Sequence, residues 1–360
     1  AAGLAVAVLL ARPAGGADPA AGITLSGSVK KPQVLDAAAL AAYPRQRLHA
    51  KLTGPDGAYR TTVEADGVAL KDLVEKAEAA KAIDDGFNRP LDLAVVVAGR
   101  DGKKALYSWG ELFLSGDAGA AVLADRLRPF VPHHHDPVEE PSIASGAWLG
   151  APERASLDLS GCAGCHESGK VPKVDLPRGI CLVPTRDATG RRFVEDVVSI
   201  EVKQAGFPAP PQRKDLKDPW VASPRLVLPD GRTVALGAKE TQGLPRVSGE
   251  GDGIGLGRGF RGRSRFAGAS LAALLKAKLP AGTDPGLLFV VVTASDGYRS
   301  LYSGGEVLLS RLPENVLLVD TEGGKPLLRK SGRLESYARA DFFVDRSVRN
   351  LAEVRVLIAR

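Results

Sequence analysis

Methionine is absent from all 360 residues, so no thioether sulfur is available to any metal site built from this chain. Cysteine is scarce: Cys162, Cys165 and Cys181 are the only three, an odd number and a poor basis for a disulfide framework. Five histidines are present, and four of them fall between 133 and 166, which leaves no convincing Ser-His-Asp arrangement elsewhere. Aromatic residues make up 5% of the chain, and no basic-aromatic interleaving of the kind used by nucleic-acid binders occurs, so nucleic acid is not expected as a partner. Beyond the first residues there is no apolar run of bilayer-spanning length.

What is present is a globular composition, 44% hydrophobic and 25% charged, with 41 Gly and 25 Pro that predict many turns. The net charge of +6 is spread along the sequence and only weakly favours an anionic partner. The opening "AAGLAVAVLLA" followed by small residues up to "GGA" has the character of a secretory core and cleavage zone. Residues 1–21 are therefore expected to be a signal or anchor segment, the protein to be exported to the periplasm or beyond, and membrane contact to arise only through that segment if it stays uncleaved.

The chain repeats itself. "VVVAGRDGKKALYSWGELFLS" (95–115) and "VVVTASDGYRSLYSGGEVLLS" (290–310) share 12 of 21 positions at an offset of 195. Upstream, "GVALKDLV" (67–74) parallels "GASLAALL" (268–275); downstream, "FVEDVVSIEV" (193–202) parallels "SVRNLAEVRV" (347–356) at an offset of 154. The elements follow one order in both halves, the mark of a tandem duplication. The difference between the last two offsets, 195 − 154 = 41 residues, is an insertion in the first copy, and it holds "HHHD" (133–136) and "CAGCH" (162–166). The expected organisation is a first copy at 22–204 with its insertion at about 129–177, a Pro-rich linker at 205–222, and a second copy at 223–360.

Each copy is expected to open with a strand (23–29, 225–231), continue through short strands such as 58–65, and then form a short helix with Leu70, Leu73, Val74 and Ala77 on one face. A β-branched strand (93–98, 288–293) turns at Asp-Gly into a second strand. A short helix follows, with Ser108 and Ser303 as N-caps and Glu111 and Glu306 three residues on. Further strands are expected at 120–125 and 315–320, and an alternating strand closes each copy. The predicted class is a mixed α/β (α+β) fold.

"GVALKDLV", "GASLAALL", "VVVTASDGYRSLYSGGEV" and "ICLVPTRDATGRRFVEDVVSIEV" resemble the molybdopterin-binding domain of the sulfite oxidase type in its short bacterial form, over about 22–203 and, less completely, 223–358. The resemblance implies two tandem copies of that fold and a molybdopterin whose metal is bound by a cysteine thiolate early in the domain. No cysteine precedes Cys162 and the second copy has none, so the family's ligand has no matching position. Cys181 reads as a small buried hydrophobe.

The spacing Cys162-Ala-Gly-Cys165-His166 is the attachment signature of c-type haem: two thiols add to two vinyl groups and the adjacent histidine is held under the iron. With no methionine, the sixth position falls to His133, His134 or His135, or stays open; His49 reads as structural. Two alternatives stay open: a Cys₂His₂ zinc site from Cys162 and Cys165 with two of His133, His134, His135 and His166, and a plain Cys162–Cys165 disulfide. The expected function is that of an exported mono-haem c-type electron-transfer protein working with a redox partner protein. A molybdopterin-dependent oxidoreductase with a built-in haem and a zinc-binding non-redox module are the alternatives, and no catalytic residue is assigned. Arg258, Arg261, Arg263 and Arg265, around the glycines Gly257, Gly259 and Gly262, cradle an anion or form a solvated loop in what reads as a hairpin. Tyr107 and Tyr302 read as packing residues.

Overall fold

The computed structural model describes residues 22–359 except 55, 82–85, 116–118, 130–148, 151–155, 158–173, 178, 214 and 313. Each copy builds two sheets. In the first copy one sheet runs Gln33–Leu35, Ile23–Gly27, Val197–Gln204, Leu93–Gly99, Lys104–Ser108. Its counterpart runs Thr233–Ala235, Arg225–Val227, Leu351–Ile358, Leu288–Ala294, Arg299–Ser303, in the same spatial order. In both, the opening strand pairs in parallel with the closing one and every other pairing is antiparallel.

The second sheet of the first copy is ordered Cys181–Pro184, Ala121–Pro129, Tyr59–Ala69, Arg45–Thr53. Its counterpart joins the long hairpin Arg246–Gly255 and Gly259–Ser270 to Val316–Glu322, which also pairs with Glu335–Ala338. The central strands Leu93–Gly99 and Leu288–Ala294 are almost wholly buried, as runs of Val and Ala with both faces covered must be.

The mixed α/β expectation, and with it the sulfite-oxidase-type fold, is overturned. The chain is mostly β, its sheets set in a four-bladed, propeller-like ring. Each of the six α-helices among the described residues is only five to eight residues long. At that length a helix is one or two turns, held by its caps and by the sheet under it, and forms no layer of its own.

The copies do not merely follow one another. Val96 and Leu106 of the first pack with Phe289, Val291 and Leu301 of the second in one apolar cluster. Two isolated backbone bridges cross between them reciprocally, Ser115 to Asp341 and Asp187 to Ser310. Position 115 matches 310 in the first repeat offset, and 187 matches 341 in the second, so the two contacts are one contact made twice about a pseudo-two-fold axis.

Candidate functional site

The residues singled out for metal and haem chemistry, Cys162, Cys165, His166, His133, His134 and His135, lie outside the described residues. Their flanks are described. Leu157 and Val174, which flank Cys162, Cys165 and His166 in sequence, pair with each other. Leu149–Gly150, which follows the three histidines in sequence, pairs with Leu127 and Arg126. Among the described residues no group of three or more His, Cys, Asp or Glu is placed to hold a metal. His49 is exposed on its strand, opposite Glu64.

The implied molybdopterin can be tested against Cys181, the one described cysteine. Its thiol is fully buried among apolar side chains and donates to the Gly179 carbonyl at 3.4 Å. Burial pushes its pKa upward, away from the thiolate that a metal needs. The residues present do not fit a thiolate-bound molybdenum, and no chemistry is derived through one.

Two constructed features remain, and the sequence pointed to only part of each: the capping boxes of the first and the hairpin arginines of the second. The first lies on the pseudo-two-fold axis. Ser108 caps the helix Trp109–Phe113 by accepting from the Glu111 amide at 2.9 Å, and Ser303 caps Gly304–Leu308 by accepting from Glu306 at 2.9 Å. Each hydroxyl then donates across the axis: Ser108 Oγ to Glu306 Oε1 at 2.7 Å, Ser303 Oγ to Glu111 Oε2 at 2.7 Å. Arg192 reaches Glu111 at 2.8 Å and Asp187 at 2.8 Å, and contacts Ser303 of the other copy at 3.3 Å. Arg346 repeats this with Glu306 at 2.9 Å, Asp341 at 2.7 Å and Ser108 at 3.0 Å. Each guanidinium also lies over a tyrosine ring, Arg192 over Tyr107 at 4.1 Å and Arg346 over Tyr302 at 4.7 Å. The two tyrosines are fully buried, so the packing role expected of them stands, with the cation contact added.

Six ionisable groups are thus buried together, and each finds partners for its hydrogen bonds, the condition under which buried charges are tolerated. Burial and the nearby Glu111 push the Glu306 carboxyl upward, against the pull of Arg346. A cavity of about 460 Å³ opens onto this network between Arg186, Arg311 and Asn315. The exchange of partners between copies serves to weld them together; no reacting geometry is evident in it.

The second feature is a cleft of about 870 Å³ in the second copy, floored by the long hairpin and by Glu335, Tyr337 and Ser347. Gly251 sits under Tyr337; a Cβ there would lie 2.1 Å from the tyrosine oxygen, so only glycine admits that ring position. The four hairpin arginines divide. Arg263 pairs with Asp252 at 2.8 Å and Arg265 with Glu250 at 2.9 Å, while Arg258 and Arg261 line the cleft. The GxGxxG glycines Gly257, Gly259 and Gly262 all have positive φ, and belong to the turn and bulge of a hairpin, not to a phosphate loop ahead of a helix.

Glu335 is largely buried, and Arg349 comes only within 3.5 Å of it. Burial pushes its pKa up to about 7, with Glu322 adding to the rise and Arg349 opposing it. A carboxyl raised above its unfolded value binds its proton more tightly in the folded state. Its contribution to stability is therefore complete below the unfolded pKa and lost as pH rises through about 7. Unfolding stability is expected to fall between pH 5 and pH 8. Glu335→Gln should flatten that slope by roughly 2 kcal/mol, measured by urea unfolding at both pH values. An unchanged slope in the variant would contradict the assignment.

No protein-family model matches the sequence, and no curated protein does. Among solved structures, the crystal structure of the sulfane dehydrogenase SoxCD from Paracoccus pantotrophus is similar at a TM-score of 0.31 and 11% identity, over 93% of this chain and 79% of that one.

Proposed function

We propose that this is an exported mono-haem c-type electron-transfer protein, with the haem attached through Cys162 and Cys165 and its iron held by His166. The observation that carries the reading is the Cys-x-x-Cys-His sequence itself, placed within the one long segment that the second copy lacks. A bound haem c would supply reversible one-electron exchange between the ferric and ferrous states. The chain's own contribution would be a duplicated β scaffold, on which added loops commonly carry sites. The absence of methionine excludes His/Met ligation within the chain and leaves His133, His134 and His135, nearest in sequence, as candidates for the sixth position, with a lower potential than a Met-ligated centre would have. The partner is a second redox protein.

The test is substitution with a spectroscopic readout in cells competent for cytochrome c maturation and export. Cys162→Ala/Cys165→Ala is expected to abolish covalent pigment while the protein still folds. Replacing His133, His134 and His135 together by alanine is expected to leave attachment intact and open the iron to carbon monoxide. Pigment that persists in the double cysteine variant, or wild-type protein that carries zinc in place of iron, would refute the proposal.

A further inference from the structure

The duplication supplies an internal comparison. In the first copy Cys181 pairs with Ala124 and Val183 with Val122; in the second Glu335 pairs with Val319 and Tyr337 with Leu317, at the same two offsets. One face of one sheet is therefore built twice. In the first copy Cys181, Val183 and Phe193 pack with Leu176, Ala65 and Leu127 into a closed apolar cluster. In the second copy the matching positions are Glu335, Tyr337 and Ser347, and they line an open cleft. A face that served stability alone would be filled with apolar side chains, as the first copy shows is feasible. A polar cleft with a largely buried carboxyl costs stability and persists where a site needs it.

The charges of the cleft decide what it takes. Asp345 is engaged by Arg89 at 3.1 Å and by the Leu256 amide at 2.8 Å. Asp252 is engaged by Arg263, Glu322 by the Ser264 hydroxyl at 2.8 Å, and Asp296 by the Tyr298 amide at 2.9 Å. Arg258 and Arg261 have no carboxylate partner among the described residues and border the same space. Glu335, raised to about 7, is protonated below that pH and offers a hydroxyl from the floor. Glu322 and Asp296 are held by neutral donors, so Arg258 and Arg261 are the cations of the cleft with no carboxylate bound to them among the described residues.

We propose that the cleft of the second copy is a binding site for a small dianion with acceptor oxygens, a phosphate or a dicarboxylate, with Arg258 and Arg261 as its counter-charges. Two arginines without acid partners match two negative charges, and the fork of a guanidinium suits either group.

The test is calorimetric titration of the full-length protein, below the pH at which Glu335 ionises, with sulfate, which stays doubly charged there and stands in for a phosphate dianion, separately with succinate, and with chloride at matched ionic strength. The expected result is saturable one-site binding of at least one dianion, weakened tenfold or more in Arg258→Gln/Arg261→Gln. Both arginines are exposed, so that variant keeps its fold. Ser347→Phe, which restores the residue at the matching position of the first copy, is expected to fill the cleft and abolish binding. Binding of sulfate alone assigns a tetrahedral, phosphate-like ligand, and binding of succinate alone a carboxylate one. Dianions that bind no better than chloride, or bind the double arginine variant as well as wild type, overturn the proposal. The variants that decide it, at Arg258, Arg261 and Ser347, lie in the second copy, so its outcome is separable from haem attachment at Cys162 and Cys165.

Discussion

Arg346→Ala is expected to destabilise the protein by roughly 3–5 kcal/mol, the cost of leaving buried acids without their cation. Arg346 is 1% exposed and serves two carboxylates at once, Glu306 and Asp341, whose side chains are 4% and 3% exposed. It also holds the Ser108 hydroxyl of the other copy at 3.0 Å, so its loss loosens the junction and not only its own loop. The deficit should depend on pH in a particular direction. Glu306 already has a raised pKa from burial, and a variant without Arg346 can relieve it by protonation. Urea unfolding should therefore give a smaller deficit at pH 5 than at pH 8, and Glu306→Gln in the Arg346→Ala background should recover part of the loss at pH 8. A deficit under about 1 kcal/mol, the size of a solvent-exposed ion pair, would show that the network is not closed to water.

Gly305→Ala is expected to cost roughly 1–3 kcal/mol or more, by overpacking against a side chain that has no room to yield. A Cβ at Gly305 would lie 2.3 Å from Arg192 Cζ, and one at the matching Gly110 would lie 2.1 Å from Arg346 Cδ. A long side chain at the surface would swing aside. Arg192 is wholly buried and fixed by Asp187, Glu111 and Ser303, so it moves only by breaking those bonds. The control is Gly206, where nothing lies within 4 Å of an added Cβ and alanine should change stability by less than about 0.5 kcal/mol. If Gly305→Ala and Gly206→Ala unfold alike, the tight approach of the two arginines to the opposing helices is wrong.

The repeat was the most legible feature of the chain. The strands 93–98 and 288–293 were expected and are observed as Leu93–Gly99 and Leu288–Ala294, because β-branched runs buried on both faces leave a strong local signal. The capping boxes at Ser108 and Ser303 were readable from three-residue spacing and are present. The fold class was not. Short amphipathic stretches such as Leu70–Lys76 have the periodicity of a helix, but periodicity says nothing of how little of the architecture one or two turns provide.

The buried arginines were hidden for a different reason. Arginine is ordinarily a surface residue, and Arg192 follows another arginine, Arg191, in a charged loop. The available signal was that Asp187 and Arg192 recur as Asp341 and Arg346 at the offset of the closing strands. The cleft was hidden because Glu335, Tyr337 and Ser347 acquire meaning only beside Cys181, Val183 and Phe193, a comparison that needs the strand register.

The most direct test of the proposed function is the absorption spectrum of protein exported by cells competent for cytochrome c maturation, recorded before and after denaturation and acid-acetone extraction. The account predicts a Soret band that stays with the denatured chain, which only thioether attachment at Cys162 and Cys165 would explain. A colourless protein, or pigment removed by the extraction, would contradict it.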